Sequence, residues 1–124
     1  MLRDEELTYR IRGCVFEVYR QLGHGFLESV YQKALIKELQ SQQLTVQAEH
    51  PVTIYYKGQD VGLFRLDHVV ENRVIVEQKA QKVLPQGAEA QLINYLKATG
   101  MKLGLLANFT YPKAFVKRVI LENQ

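Results

Sequence analysis

Apolar residues recur at helical spacing through the first third of the chain and at strand spacing through its middle. Leu7, Ile11, Val15, Val18 and Leu22 share one face of a helix from about Asp4 to Leu22, with Cys14 beside that stripe. Gly23-His24-Gly25 interrupts it with a tight turn. Leu27, Val30, Ala34, Leu35 and Leu39 then predict the apolar stripe of a second helix from about Leu27 to Gln42. Leu44 to Lys57 reads as a long strand, Val46, Val52, Ile54 and Tyr56 sharing a parity and Pro51 marking a bend or edge. Lys57-Gly58-Gln59 turns the chain into a second strand with its core at Leu66 to Val70. The polar turn Glu71-Asn72-Arg73 separates that core from the next, Val74 to Val76. Pro85-Gln86-Gly87 introduces a third helix, about Ala88 to Thr99, ended by Gly100 and packed through Leu92, Leu96 and Ile93. Lys102 to Phe109 is an apolar run typical of a strand buried on both faces. Phe115 to Leu121 fits an edge strand or a helix equally well.

The order is therefore α-α-β-β-β-α-β with an undecided last element, an α/β (α+β) fold. Short connections make the three consecutive strands an antiparallel meander. A strand, a crossover helix and a buried strand suggest a βαβ unit with the last strand parallel to the Glu77 strand, so the central sheet is mixed and flanked by helices. A length of 124 residues suits a single domain spanning 1–124. Hydrophobic residues at 47% and charged residues at 23% are ordinary globular proportions. No apolar run approaches the ~20 residues of a membrane span, and Met1 to Glu6 lacks the apolar core of a signal peptide. The lone Cys14 rules out an internal disulfide, suits a reducing cytoplasm and reads as a small buried hydrophobe. A net charge of +3 permits a nucleic-acid partner without demanding one. Lys113, Lys117 and Arg118 form the most basic corner.

The middle strands carry the chemistry. Asp67, Glu77 and Lys79 are ionisable groups set into apolar runs, which is costly unless they are paired, hydrogen-bonded or bound to a cation. Glu77 and Lys79 share a strand face, and Gln78 points the other way. A three-residue loop, Glu71 to Arg73, places Val70 opposite Val74 and Asp67 opposite Glu77, with Cβ atoms about 5 Å apart. A two-residue loop would put Asp67 opposite Gln78 and split the carboxylates between faces. Two carboxylates so close repel unless something positive lies between them, and a divalent metal ion is the natural candidate. Glu28 falls in the first turn of the second helix, where the helix dipole alone favours a carboxylate. Gln91 and Tyr95 are four apart and stack on one helix face beside Ala88. His68 points away from Asp67 and reads as packing or surface. His24, His50 and His68 have no metal-like spacing, and no phosphate-binding glycine loop or Ser-His-Asp set is present.

Taken in order, Asp67, Glu77-Gln78-Lys79 and a helix bearing Gln91 to Tyr95 resemble the PD-(D/E)XK nuclease superfamily, the Gln-x-x-x-Tyr element being similar to its recombination-exonuclease branch. Gly25-Phe26-Leu27-Glu28-Ser29-Val30-Tyr31 resembles the signature of the small bacterial GxxExxY family. Tyr55 to Gly58, Arg65 to Asp67, Glu77 to Ala80, Gln91 to Leu96 and Gly104 to Phe109 are similar to that family as well. The resemblance implies a restriction-endonuclease-like core that cuts nucleic acid, DNA first, in repair, recombination or defence. It implies Mg²⁺ or Mn²⁺ held by Asp67, Glu77 and the main-chain carbonyl of Gln78. Glu28 would be a further metal ligand or a base acting through water. Lys79 would hold or help deprotonate the attacking water, Gln91 and Tyr95 would orient it or grip a phosphate, and Tyr31 would do the same or stack on a base. Apart from the resemblance, the basic corner of Lys113, Lys117 and Arg118 is a candidate to bind the substrate backbone. Gln78 is polar where an apolar residue is usual, which implies a less buried face behind the site.

Without that resemblance, Asp67, Glu77 and Lys79 read equally well as a cross-strand ion network. Two other classes remain: a catalytically silent nucleic-acid-binding domain using the basic corner, and a protein-interaction subunit. A homodimer is compatible with the nuclease reading, because two small cores could span both strands of a duplex. Alanine at Asp67 or Glu77 is expected to abolish cleavage and, by relieving repulsion, to cost no stability in metal-free buffer.

Overall fold

The computed structural model describes residues 3–122; Met1, Leu2, Asn123 and Gln124, the ends of the expected 1–124 unit, lie outside the described residues. Two helices, α1 (Asp4–Leu22) and α2 (Glu28–Ser41), precede strands β1 (Val46–Tyr56), β2 (Gln59–Val70) and β3 (Val74–Lys79). Helix α3 (Ala88–Thr99) then leads to β4 (Leu103–Asn108) and β5 (Phe115–Ile120). Among the described residues no helix is long and apolar enough to cross a membrane.

The five strands lie in sequence order, β1-β2-β3-β4-β5, antiparallel except for the β3–β4 pair, which is parallel. Antiparallel neighbours follow from tight turns, and the parallel pair follows from the α3 crossover. The last apolar segment is a strand on the edge beyond β4, which its sequence pattern left open.

Helices α1 and α2 cover one face of the sheet and α3 the other. Val70, Val74, Val76, Leu105 and Ala107 pack with Leu7, Ile11, Val15, Leu35 and Leu39. Leu66, Val69, Ile75 and Leu106 pack with Leu92, Tyr95 and Leu96. Burial on both faces explains why β3 and β4 are apolar without alternation. Gly104 sets how closely α3 approaches, since a Cβ there would meet Leu92 Cδ1 at 2.9 Å.

The buried face of α2 differs from its expected stripe. Leu27 and Val30 are exposed, whereas Tyr31, Leu35 and Leu39 are fully buried. Residues four apart stack on one face, and this set is the one that meets the sheet.

Candidate active site

Asp67 and Glu77 meet where the β2–β3 hairpin opens. The three-residue turn sets Val70 opposite Val74, and pairing runs through Val69–Ile75 to His68–Val76. The next pair in that register would be Asp67 and Glu77, and there side chains replace the backbone ladder. The Asp67 amide donates to Glu77 Oε2 at 2.7 Å, and the Gln78 amide donates to Asp67 Oδ2 at 2.9 Å. Each carboxylate is thus anchored by the main chain of the opposite strand, through one of its two oxygens. Within a strand, the N–H and C=O of one residue point the same way, so the Gln78 carbonyl is turned toward β2. The Lys79 carbonyl points oppositely and accepts the Phe109 amide at 2.8 Å.

Strand β1 is also irregular here. Its register passes from Ala48–His68 to His50–Leu66 without a Glu49–Asp67 pair, and Glu49 adopts φ 53°. A non-glycine residue in the left-handed region carries strain of a kind that clusters at working sites. Gln32 Nε2 of α2 donates to Glu49 Oε1 at 2.9 Å.

Glu28 joins this centre as the first residue of α2. Gly25, at φ 104°, makes the turn that a side chain would resist. Tyr31 holds that turn from within: its hydroxyl donates to the Gly23 carbonyl at 2.5 Å and accepts the Phe26 amide at 3.3 Å. The ring is 0% exposed and stacks on Phe109 with centroids 4.5 Å apart. Tyr31 therefore cannot touch a substrate in this structure, contrary to the role the resemblance implied.

Gln78 likewise departs from expectation. It is 1% exposed, so the face behind the site is fully buried. Its side chain is satisfied at both ends: Nε2 donates to the Glu28 carbonyl at 2.9 Å, and Oε1 lies 2.6 Å from His68 Nε2. With the amide oxygen as acceptor, His68 carries its proton on Nε2 and leaves Nδ1 without a partner. Burial holds the His68 imidazole below its usual pKa, which keeps it neutral.

The charges act as one cluster. Burial, then the Asp67 charge, pushes the Glu77 carboxyl up to about 8, with Lys79 pulling the other way. Burial raises Asp67, and the Gln78 amide and Lys79 offset part of that. Glu28 is raised by burial and by Asp67 and lowered by Lys79. Tyr95 is raised by burial and then by the charges of Glu77 and Asp67. Gln91 shares with Lys79, Gln86 and Gly87 the walls of a cavity of about 290 Å³. Glu28, Asp67, Glu77, Lys79, Gln91 and Tyr95 are therefore gathered at one end of the sheet.

The basic residues are not. Lys117 is ion-paired with Glu89 of α3. Arg118, its neighbour on β5, faces the other side by strand alternation. Lys113 is exposed in the β4–β5 connection. These three do not form one surface.

Two contributors escaped the sequence reading. Glu49 is the strained residue beside Asp67, and its charge reaches both Asp67 and His68. Asn108, opposite Lys79 in the parallel ladder, accepts the Gln81 amide at 3.1 Å and donates to its carbonyl at 2.9 Å. It fixes the chain where it leaves Lys79. A lone side-chain amide inside a doubly buried apolar run was the available signal.

The donor chemistry fits a hard divalent cation: carboxylate oxygens from Asp67 and Glu77 and a carbonyl oxygen from Gln78. Among the described residues, no group of three or more His, Cys, Asp or Glu side chains is arranged to hold a metal ion. A site here would thus rest on two carboxylates and main-chain oxygen.

No curated protein matches the sequence. The crystal structure of SSO0001 superposes with a TM-score of 0.58 at 12% identity, over 95% of this chain and 78% of that one, a likeness of fold. A profile of the PD-(D/E)XK nuclease superfamily matches residues 5–119. Its restriction-endonuclease-like architecture is the mixed five-stranded sheet between helices described above. The chain belongs to the PD-(D/E)XK nuclease superfamily.

Proposed function

We propose that the protein is a metal-dependent nuclease of the GxxExxY kind that hydrolyses phosphodiester bonds in DNA. The observation that carries this reading is the crossed carboxylate pair, in which Asp67 and Glu77 are each fixed by the opposite strand's amide. An ion network would consume both carboxylates in pairing with cations. Among the described residues neither carboxylate lies in a salt bridge with Lys or Arg.

Asp67, Glu77 and the Gln78 carbonyl would hold Mg²⁺ or Mn²⁺. When bound, the ion supplies positive charge to a non-bridging phosphate oxygen and acidifies water. The protein's own groups do the rest. Lys79 orients the water and offsets charge gathering on the phosphate. Glu28, raised by burial, is a better proton acceptor than an ordinary carboxylate and takes the water proton. The new bond joins water oxygen to phosphorus, the bond to the leaving sugar oxygen breaks, and that oxygen takes a proton from solvent water. Gln91, on the wall shared with Lys79, positions the phosphate.

The test is calorimetric titration of Mn²⁺ into wild type and Asp67→Asn, followed by cleavage assays on single-stranded, duplex and branched DNA with wild type and Lys79→Ala. Mn²⁺ binding lost in Asp67→Asn, with cleavage lost in Lys79→Ala, is the expected pair of results. Equal Mn²⁺ affinity in the two proteins overturns the assignment.

A further inference from the structure

Beside the catalytic centre lies a groove of about 750 Å³ between α3 and the β1–β2 ribbon. It exists because the strands are unequal: β2 has 12 residues and β3 only 6, so the far half of the ribbon has no β3 neighbour. Tyr55 and Phe64 form one wall, and Gln91, Asn94, Tyr95 and Lys97 the other. Tyr55 is 65% exposed and Phe64 43%, although both belong to residue types that proteins usually cover. Phe64 meets Tyr95 at 5.4 Å in a tilted pair.

The groove is continuous with the proposed site. Gly87 and Gln91 line both the groove and the Lys79 cavity. Among the described residues no Asp or Glu lines it, whereas Lys97 does. At the tip of the ribbon Lys57 Nζ lies 5.4 Å over the Tyr56 ring. Aromatic faces, side-chain amides and positive charge, with no acidic lining, match the chemistry of nucleotide bases on a phosphate backbone.

Resting on the nuclease reading, we propose that this groove seats an unpaired DNA strand, its bases against Tyr55 and Phe64, and leads its backbone to the carboxylates. A duplex hides its base faces inside the stack, so Tyr55 and Phe64 would have nothing to stack on. A cavity of this size holds a ligand of roughly two nucleotides. The choice of DNA over RNA comes from the nuclease reading on which the groove rests.

Fluorescence anisotropy in EDTA tests the groove alone, because cleavage and metal binding are then silent. The probes are a short oligothymidylate, a blunt duplex of equal length, oligouridylate, and an oligomer whose bases are replaced by abasic sites. Oligothymidylate should bind most tightly. Its affinity should fall roughly tenfold in Tyr55→Ala, in line with the worth of one stacked base, and again in Asn94→Glu. The abasic oligomer should bind wild type and Tyr55→Ala equally. A duplex bound as tightly as the single strand, or unchanged affinity in both variants, overturns the proposal; oligouridylate bound as well as oligothymidylate overturns its assignment to DNA. Mn²⁺ titration of Tyr55→Ala should match wild type, so failure of the metal site is read separately from failure of the groove.

Discussion

Replacing Glu77 by glutamine probes the carboxylate pair without emptying the space the side chain fills. The Glu77 carboxyl is raised from 4.5 to about 8, first by burial and next by Asp67. The folded protein therefore keeps this proton at pH values where the unfolded chain has lost it. The associated stability is fully present below pH 4.5 and is lost as pH rises through about 8. At about 1.4 kcal/mol per unit, the span from 4.5 to about 8 corresponds to roughly 5 kcal/mol, shared with Asp67 because its charge is part of the cause. Against a domain stability of about 5–15 kcal/mol, that is a large fraction. The glutamine carbonyl still accepts the Asp67 amide but does not titrate. In EDTA, urea unfolding of wild type should lose several kcal/mol more than Glu77→Gln between about pH 5 and pH 8.5, leaving the variant the more stable at the upper end. Added Mn²⁺ should restore wild type there and do nothing for the variant. Parallel pH profiles for the two proteins would refute the reasoning, since Glu77 would then ionise like a surface carboxylate. Alanine is a different perturbation. Asp67→Ala strands the Gln78 amide and Glu77→Ala strands the Asp67 amide, at about 1–3 kcal/mol each. That loss opposes the relief of repulsion on which the expectation of no stability cost rests.

Gly104→Ala should destabilise by about 1–3 kcal/mol in urea unfolding, because its Cβ would push on Leu92 and displace α3. The same displacement moves Gln91 and Tyr95, so kcat should fall with it. Tyr31→Phe removes a hydroxyl that makes two hydrogen bonds and should cost about 1–3 kcal/mol; KM for nucleic acid should stay unchanged, and a raised KM would restore Tyr31 to the substrate surface. Asn108→Leu frees both main-chain groups of Gln81. Hydrogen exchange at the Gln81 amide should accelerate, and an unchanged rate would show that the segment is held by something else.

Much of the site was legible because its parts are close in sequence. One turn of three residues fixes the β2–β3 register, and from it the meeting of Asp67 and Glu77 follows by counting. The bounds of α1 and α3 followed from apolar spacing and from Gly100. What could not be counted was which face of α2 meets the sheet. Leu27 and Val30 are apolar by type, yet the Gly25 turn brings the helix in so that its first turn lies outside the core, and Tyr31 fills the position they were expected to share. Strand alternation also failed locally: Leu66 and Val69, three apart, both join the core under α3, so the period-two pattern does not run through Asp67. The aromatic groove was invisible for another reason. Tyr55 and Phe64 belong to one ribbon, but Tyr95 joins them in the groove only after a crossover, and no short sequence window contains all three.

The bond from Gln78 to His68 has a consequence for how this strand tolerates substitution. An apolar residue at position 78 alone would leave His68 sealed in the core with neither nitrogen partnered and the Glu28 carbonyl without its donor. A hydrophobe at position 68 alone would strand the Gln78 carbonyl instead. Each single replacement strands the other side chain of the pair, at about 1–3 kcal/mol, whereas both changed together remove that cost and leave only the Glu28 carbonyl without its Gln78 donor. Positions 68 and 78 are therefore coupled: an evolutionary or engineered path toward an apolar middle residue in the Glu-x-Lys strand must carry the histidine away with it.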